Sequence, residues 1–354
     1  MYVSVFRCWE NIWQAEVLHL YLVIGGVMKH PFYKKLKDGH PFVVFPDDVD
    51  ALVAQLVGAK VDAFKQWAGR PVWAVTFGAE GDLDGKHKLF VSRPHAHEPA
   101  GVAACTELIQ ALAGLGAYGG AWDAWREEVL SKFVITLVPD ANPMGSTRAP
   151  VTFWDGSKIP NERFFLWMFG ESGETAGERF PRVACWDRRE VTEPALLGIA
   201  YEQIDDHTFV EPNRDYRSTF FKSFFDLDKT YRYDVWLDLH QTEFINSDRN
   251  CDVHLPTCLY DLPEDVQTRH QALGNALHAC WRSVGGEPRD TPSIPYQNNE
   301  TQKAFLDAVW KPISERMVHI VTEIQNNNVR TPAAMQVHLQ LAALMETLDW
   351  MRGQ

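Results

Sequence analysis

The sequence predicts an α/β fold: a mixed, largely parallel central sheet with helices on both faces. Three observations lead there. Short apolar runs at 133–138 (FVITLV), 234–239 (DVWLDL) and 317–322 (MVHIVT) show little polar alternation, as strands buried on both faces do. Stretches with apolar residues at helical spacing separate and follow them, which is the order that builds a parallel sheet. The chain of 354 residues is 45% hydrophobic and 23% charged, close to soluble globular proteins, so it can bury a sizeable core.

Taken in order, residues 17–27 (VLHLYLVIGGV) are apolar but too short to span a bilayer, and they contain His19. Glu10 and Glu16 precede them where a signal peptide would be positive. They read as a buried N-terminal strand, with Met28 as an alternative natural start. Residues 1–30 are set apart as an N-terminal extension and 31–354 as a single domain. Residues 72–77 and 88–91 are β-rich runs joined by GAEGDLDG, a turn signal that predicts a hairpin-like start to the sheet. Helical spacing over 101–115 ends at Gly116, a candidate C-cap. From 141 to 232 the chain is rich in Gly, Pro, Arg and aromatic residues and reads as long loops shaping a cleft, with a helix-like piece at 193–204. Residues 332–350 read as a closing helix.

Composition excludes several function classes. The formal charge is −13, from 34 basic and 47 acidic residues, and no basic stripe interrupts it; a nucleic-acid partner is not expected. No segment reads as a membrane span. The six cysteines form no C-x-x-C pair, so neither a zinc ribbon nor a disulfide scaffold is indicated, and a reducing, cytoplasmic compartment fits.

Three motifs carry chemistry. His95-x-x-Glu98, in RPHAHEPAG, lies between a strand and a helix, where a bend can converge an imidazole and a carboxylate on one metal ion. The spacing alone is common by chance, and His97 is an alternative ligand or a surface histidine. His240 ends the run LDLH, with Asp238 two residues earlier on the same face. Two ligands close together and a third far downstream leave a position open for water, the catalytic arrangement. Glu323, in VTEIQ, follows an apolar strand, where a carboxylate is costly unless paired or employed. It reads as a general base, or as a residue salt-bridged to an arginine.

These motifs, in this order, resemble the zinc metallocarboxypeptidase family related to carboxypeptidase A. Asn142-Pro143 after the FVITLVPDA run and Asn213-Arg214 in EPNRDY extend the resemblance, which runs from about residue 72 to the C-terminus. It implies a zinc carboxypeptidase-like fold with zinc held by His95, Glu98 and His240, and Glu323 as the base that takes a proton from zinc-bound water. It implies that Asn213 and Arg214 grip the free carboxylate of a peptide substrate, where a guanidinium can bind bidentately. A family arginine stabilises the oxyanion; Arg148 is the first match and Arg163 the alternative. Tyr296 corresponds to the tyrosine that closes over substrate. The chain departs from the family in reading Asn142-Pro143-Met144-Gly145, with Met144 where the family has Asp. The HEPAG motif is also similar to that of succinylglutamate desuccinylase and aspartoacylase relatives, which implies N-acyl amino acids as alternative substrates. The single helix expected after Glu323 favours the carboxypeptidase layout. A catalytically inactive binding domain is the reading from another class.

Overall fold

In a computed structural model, residues 42–149 (except 68, 119 and 121), 160–171, 185–187, 189, 196–243 and 248–354 are described. The expectations for residues 1–30, including the apolar run at 17–27, lie outside them. The main sheet comprises β1 (Lys60–Lys65), β2 (Pro71–Phe77), β3 (His87–Ser92), β4 (Phe133–Val138), β5 (Val235–Thr242), β6 (Cys251–His254) and β7 (Val318–Gln325). Their order is β1-β2-β4-β3-β5-β7-β6. The four central strands, β4, β3, β5 and β7, run parallel, and antiparallel pairs close both ends. Every residue of β4 is buried, and its one polar side chain, Thr136, is hydrogen-bonded to Thr76 Oγ1 at 2.9 Å and to the Tyr233 hydroxyl at 2.7 Å.

The hairpin expectation is corrected. β2 and β3 are not neighbours, because β4 inserts between them, antiparallel to β2 and parallel to β3. A strand buried on both faces needs a hydrogen-bonding partner at each edge, and β2 and β3 supply them. Strands β5 and β7 run further than their apolar cores suggested, so His240 and Glu323 lie within strands, not just after them. The helix-like piece at 193–204 is also corrected: among the described residues, Leu196–Leu197 and Glu202–Gln203 are short strands.

Helices cover the two faces. On one lie α2 (Pro99–Ala113), α7 (Glu264–Ser283) and α9 (Ala333–Arg352), packed on the sheet and with α9 touching the other two. Helix α2 ends at Gly114 in the left-handed conformation (φ 69°). Gly114, not Gly116, is therefore the C-cap. On the other face lie α6 (Thr219–Tyr231) and α8 (Glu300–Ser314). The side chain of Ser218 accepts from the Phe221 N–H at 3.3 Å to cap α6. Phe220, Phe221, Phe224, Leu227 and Tyr231 then form the apolar stripe it buries. Trp236 of β5 sits at the centre, stacked on Phe224 at 4.0 Å and edge-on to Phe90 at 5.0 Å. Burial of each such side chain stabilises the fold by roughly 1.5–3 kcal/mol. Because strand side chains alternate, the face that buries Trp236 also presents Asp238 and His240 two and four residues on.

Candidate functional site

The site forms beyond the carboxyl ends of β3 and β5, where ligands bind in open parallel sheets. After β3 ends at Ser92 the chain turns through Arg93 to His95. Arg93, 1% exposed, donates from Nη1 to the His95 carbonyl at 2.6 Å and from Nη2 to Ser146 Oγ at 3.1 Å, and pairs with Asp140 at 3.0 Å. This guanidinium fixes the backbone of the His95 loop to the segment after β4. Pro99 then starts α2, since its ring suits the first helical position. Glu98 is the N-cap, but its side chain caps nothing. The N–H of Ala100 is met instead by Gln241 Oε1 at 2.8 Å, and the Glu98 carboxylate turns to the imidazoles.

Glu98 Oε1 lies 3.0 Å from His95 Nδ1 and 3.3 Å from His97 Nε2, while Oε2 lies 3.4 Å from His240 Nδ1. The rings of His95 and His240 meet edge to face at 4.7 Å, and His97 stacks on His95 at 5.3 Å. Ligand atoms of His95, His97 and Glu98 all lie within 4.8 Å of one another. His97, the alternative ligand of the first motif, is thus buried beside Glu98 and is not a surface histidine. His240 pairs through its far nitrogen, Nε2, with Asp238 at 2.8 Å, and His95 Nε2 faces Glu211 at 3.6 Å.

The electrostatics fit a cation. Burial opposes charge on His95 and His240, yet Glu98 and Glu211 hold the His95 pKa above its ordinary value, and Asp238 and Glu98 hold that of His240 well above. Burial also opposes charge on Glu98, but His95 and His240 draw its pKa well below the carboxylate range. Two imidazole nitrogens and a carboxylate converge with all three side chains buried; protons or a metal ion must hold them together. A buried set of two N ligands and one O ligand is a donor set that zinc takes.

Across β5 from this set, Glu323 of β7 is the register partner of His240. Its Oε1 is 3.7 Å from His254 Nδ1, and its buried Oε2 makes no hydrogen bond among the described residues. Burial lifts its pKa to about 8, with Glu98 and Glu243 adding to the rise against His240 and His95. Burial thus favours the protonated form of this carboxyl group.

A cavity of about 280 Å³ joins these groups to the remaining residues expected from the sequence. Asn213, Arg214 and Tyr296 line it with His95, Glu98 and His240. Arg214, 3% exposed, pairs through Nε with Glu211 at 3.0 Å, donates from Nη1 to Gln302, and reaches the Tyr296 hydroxyl from Nη2 at 3.4 Å. Asn213 Oδ1 makes no hydrogen bond among the described residues, while its carbonyl accepts from Trp310 Nε1 at 3.0 Å. Tyr296 has φ 59°, unusual for a side-chain-bearing residue. Arg148 is not brought to the cavity lining. It lies on the short helix after Asn142, its Nη2 3.4 Å from the carbonyls of Gly198 and Tyr201. Arg163, the alternative, is exposed and also outside the lining. Asn142 is buried and organises that helix, accepting from the Gly145 N–H at 3.1 Å.

Sequence reasoning missed Glu211, Glu243 and His254, all of which line the cavity. Glu211 stands one helical turn before Arg214, and that charge pairing was a usable signal. Nothing local marks Glu243 or His254.

No family model matches the sequence, and no curated protein does either. Solved structures do. A metallo-carboxypeptidase from Burkholderia cenocepacia is 16% identical with a TM-score of 0.54, the match covering 87% of this chain and 69% of that one. A metallo-carboxypeptidase from Pseudomonas aeruginosa is 14% identical, TM-score 0.51, with 86% and 68% covered. Thrombin activatable fibrinolysis inhibitor is 9% identical, TM-score 0.50, with 87% and 73% covered. Together with the mixed sheet and its two helical layers, these likenesses show that the chain has the metallo-carboxypeptidase fold.

Proposed function

We propose that the chain is a zinc-dependent hydrolase that cleaves a peptide bond next to a free carboxylate, with His95, Glu98 and His240 as metal ligands and Glu323 as general base. One observation carries this reading: Glu98 faces His95 Nδ1 and His240 Nδ1 with its two oxygens, and Glu323 is the register partner of His240 on the adjoining strand. Zinc bound there would polarise the scissile carbonyl as a Lewis acid. Glu323 takes a proton from the attacking water on its carboxylate and gives it to the departing amine, the two transfers balancing over one turnover. Asn213 and Arg214 receive the substrate carboxylate. The Arg214 Nη2 contact with Tyr296 is long at 3.4 Å, so this nitrogen has donor capacity to offer. Cys105, Cys251, Cys258 and Cys280 are free thiols, which supports a reducing, cytoplasmic compartment.

Glu323→Gln tests the base. The variant is expected to bind zinc as the parent does and to lose hydrolysis of a carboxyl-terminal peptide substrate by several orders of magnitude. Retained turnover would remove Glu323 from the chemistry. Running N-acetyl and N-succinyl amino acids beside the peptides tests the acyl side; turnover of those alone would overturn the peptide assignment.

A further inference from the structure

His319 lines the cavity at a distance from the metal set. His319, Val321 and Glu323 alternate along one face of β7, which puts His319 ~13 Å along the strand from the base. The side chain is only 4% exposed, and its Nε2 makes no hydrogen bond among the described residues. His270 Nε2 accepts from the His319 backbone N–H at 3.0 Å. A buried imidazole nitrogen without a partner is costly, and this ring borders open space that a ligand can fill.

Trp310 of α8 ties His319 to the carboxylate end of the cavity. Its ring lies flat on His319, centroids 3.9 Å apart and planes 2° apart, and its Nε1 donates to the Asn213 carbonyl at 3.0 Å. A terminal residue whose carboxylate sits at Asn213 and Arg214 can thus send its side chain along this indole toward His319. The neighbouring cavity residues are uncharged. Leu306 lies one turn before Trp310, and His254 is the register partner of Val321. Burial, with His270 and His240 adding to it, pushes the His319 pKa well below its ordinary value, and burial brings His254 to about 4. Both rings are therefore neutral at pH 7. Asp238, the other register partner of Val321, has its two oxygens taken by Ser92 and His240. Among the described residues, this end of the cavity offers a charged side chain no opposite charge that is not already engaged.

We infer that His319, with Trp310 stacked on it, is the specificity-determining residue of the cavity, selecting a terminal side chain that is apolar along its length and ends in an uncharged hydrogen-bonding group. Tyrosine fits best. Its hydroxyl stands further from the backbone than the polar group of any other uncharged side chain, and its ring can lie along Trp310. That hydroxyl both donates and accepts, so it meets a neutral imidazole in either tautomer. The assignment rests on the peptidase reading above and adds the identity of the residue released.

The zinc-loaded protein is assayed on acetylated dipeptides that differ only in their last residue. The tyrosine-ended peptide is expected to exceed the phenylalanine-ended one ~10-fold in kcat/KM, with lysine- and glutamate-ended peptides behind both. His319→Phe keeps a flat ring against Trp310 and removes both nitrogens; the preference for tyrosine should vanish while the phenylalanine-ended peptide is cleaved as before. A preference that survives the substitution overturns the assignment, and so does a parent enzyme that favours a charged last residue. If His319→Phe does not fold, the parent decides alone, since equal rates on the two aromatic peptides overturn the assignment. Should the parent cleave no peptide, the peptidase reading fails, and calorimetry separates that failure from this one. Free tyrosine binding the parent ~10-fold more tightly than phenylalanine keeps His319 as the selecting group, and equal affinities overturn it.

Discussion

Arg214 is a buried cation whose charge is already partly met by Glu211, so the energy it offers a substrate depends on how much donor capacity remains. Arg214→Ala should raise KM at least tenfold for peptides ending in a free carboxylate and much less for the same peptides amidated. An equal effect on both would show that Arg214 acts on the fold of the cavity instead. The same arginine illustrates what the sequence conveys at this scale. Its neighbour Asn213 and the order of motifs pointed to the role, but the partners Gln302 and Tyr296 come from 88 and 82 residues away and leave no local trace. Arg148 shows the converse. Proximity to the Asn142-Pro143 pair made it a candidate, yet its guanidinium turns to loop carbonyls that sequence spacing does not reveal.

Between elements, the parallel strands were the most legible part, because burial on both faces demands continuous apolar runs. Their ends were less so. Apolarity fades before pairing does: β5 continues to Thr242 and β7 to Gln325, held from behind by polar side chains of α9. Gln340 donates to the His240 carbonyl at 2.9 Å and accepts from Thr322 at 2.9 Å, and Gln336 accepts from Gln241 at 2.7 Å. A buried network of this kind does not alternate or repeat, so periodicity cannot disclose it. Another junction yields a pH prediction. Glu202, 2% exposed, accepts from the Thr219 N–H at 2.8 Å at the start of α6, and burial raises its pKa to about 7 from an ordinary 4.5. The folded state therefore binds this proton more tightly than the unfolded state. That contribution to stability is full below pH 4.5 and is lost as pH rises through 7. Glu202→Gln should remove roughly 3 kcal/mol of this pH dependence. Urea melts between pH 4 and 8 measure it, and parallel slopes for the two proteins would refute the assignment.

For the molecule as a whole, metal and fold should be linked. A ligand bound only by the native state at about a thousand times its Kd stabilises by roughly 4 kcal/mol, which for a chain of this size raises Tm by roughly 5 °C. Thermal scans with zinc and then with excess chelator check this; a Tm indifferent to both would argue against a site formed by folding. The parallel centre and the two helical layers followed from composition and pattern. The strand order did not, because inserting β4 between β2 and β3 depends on pairings that only the assembled sheet defines.

The two outer strands have a consequence for how the molecule lives among its copies. An open strand edge is a template on which another chain can pair. On β6 the edge is occupied by the chain itself: Leu255 N donates to the Ser293 carbonyl and Ser293 N to the Val253 carbonyl, each at 2.8 Å. On β1 the protection is chemical. Lys60, Asp62 and Lys65 place charges along six residues, and a second strand docking there would have to strip water from them. One margin is sealed and the other made costly to approach, which guards a sheet this apolar against growing sideways into aggregates.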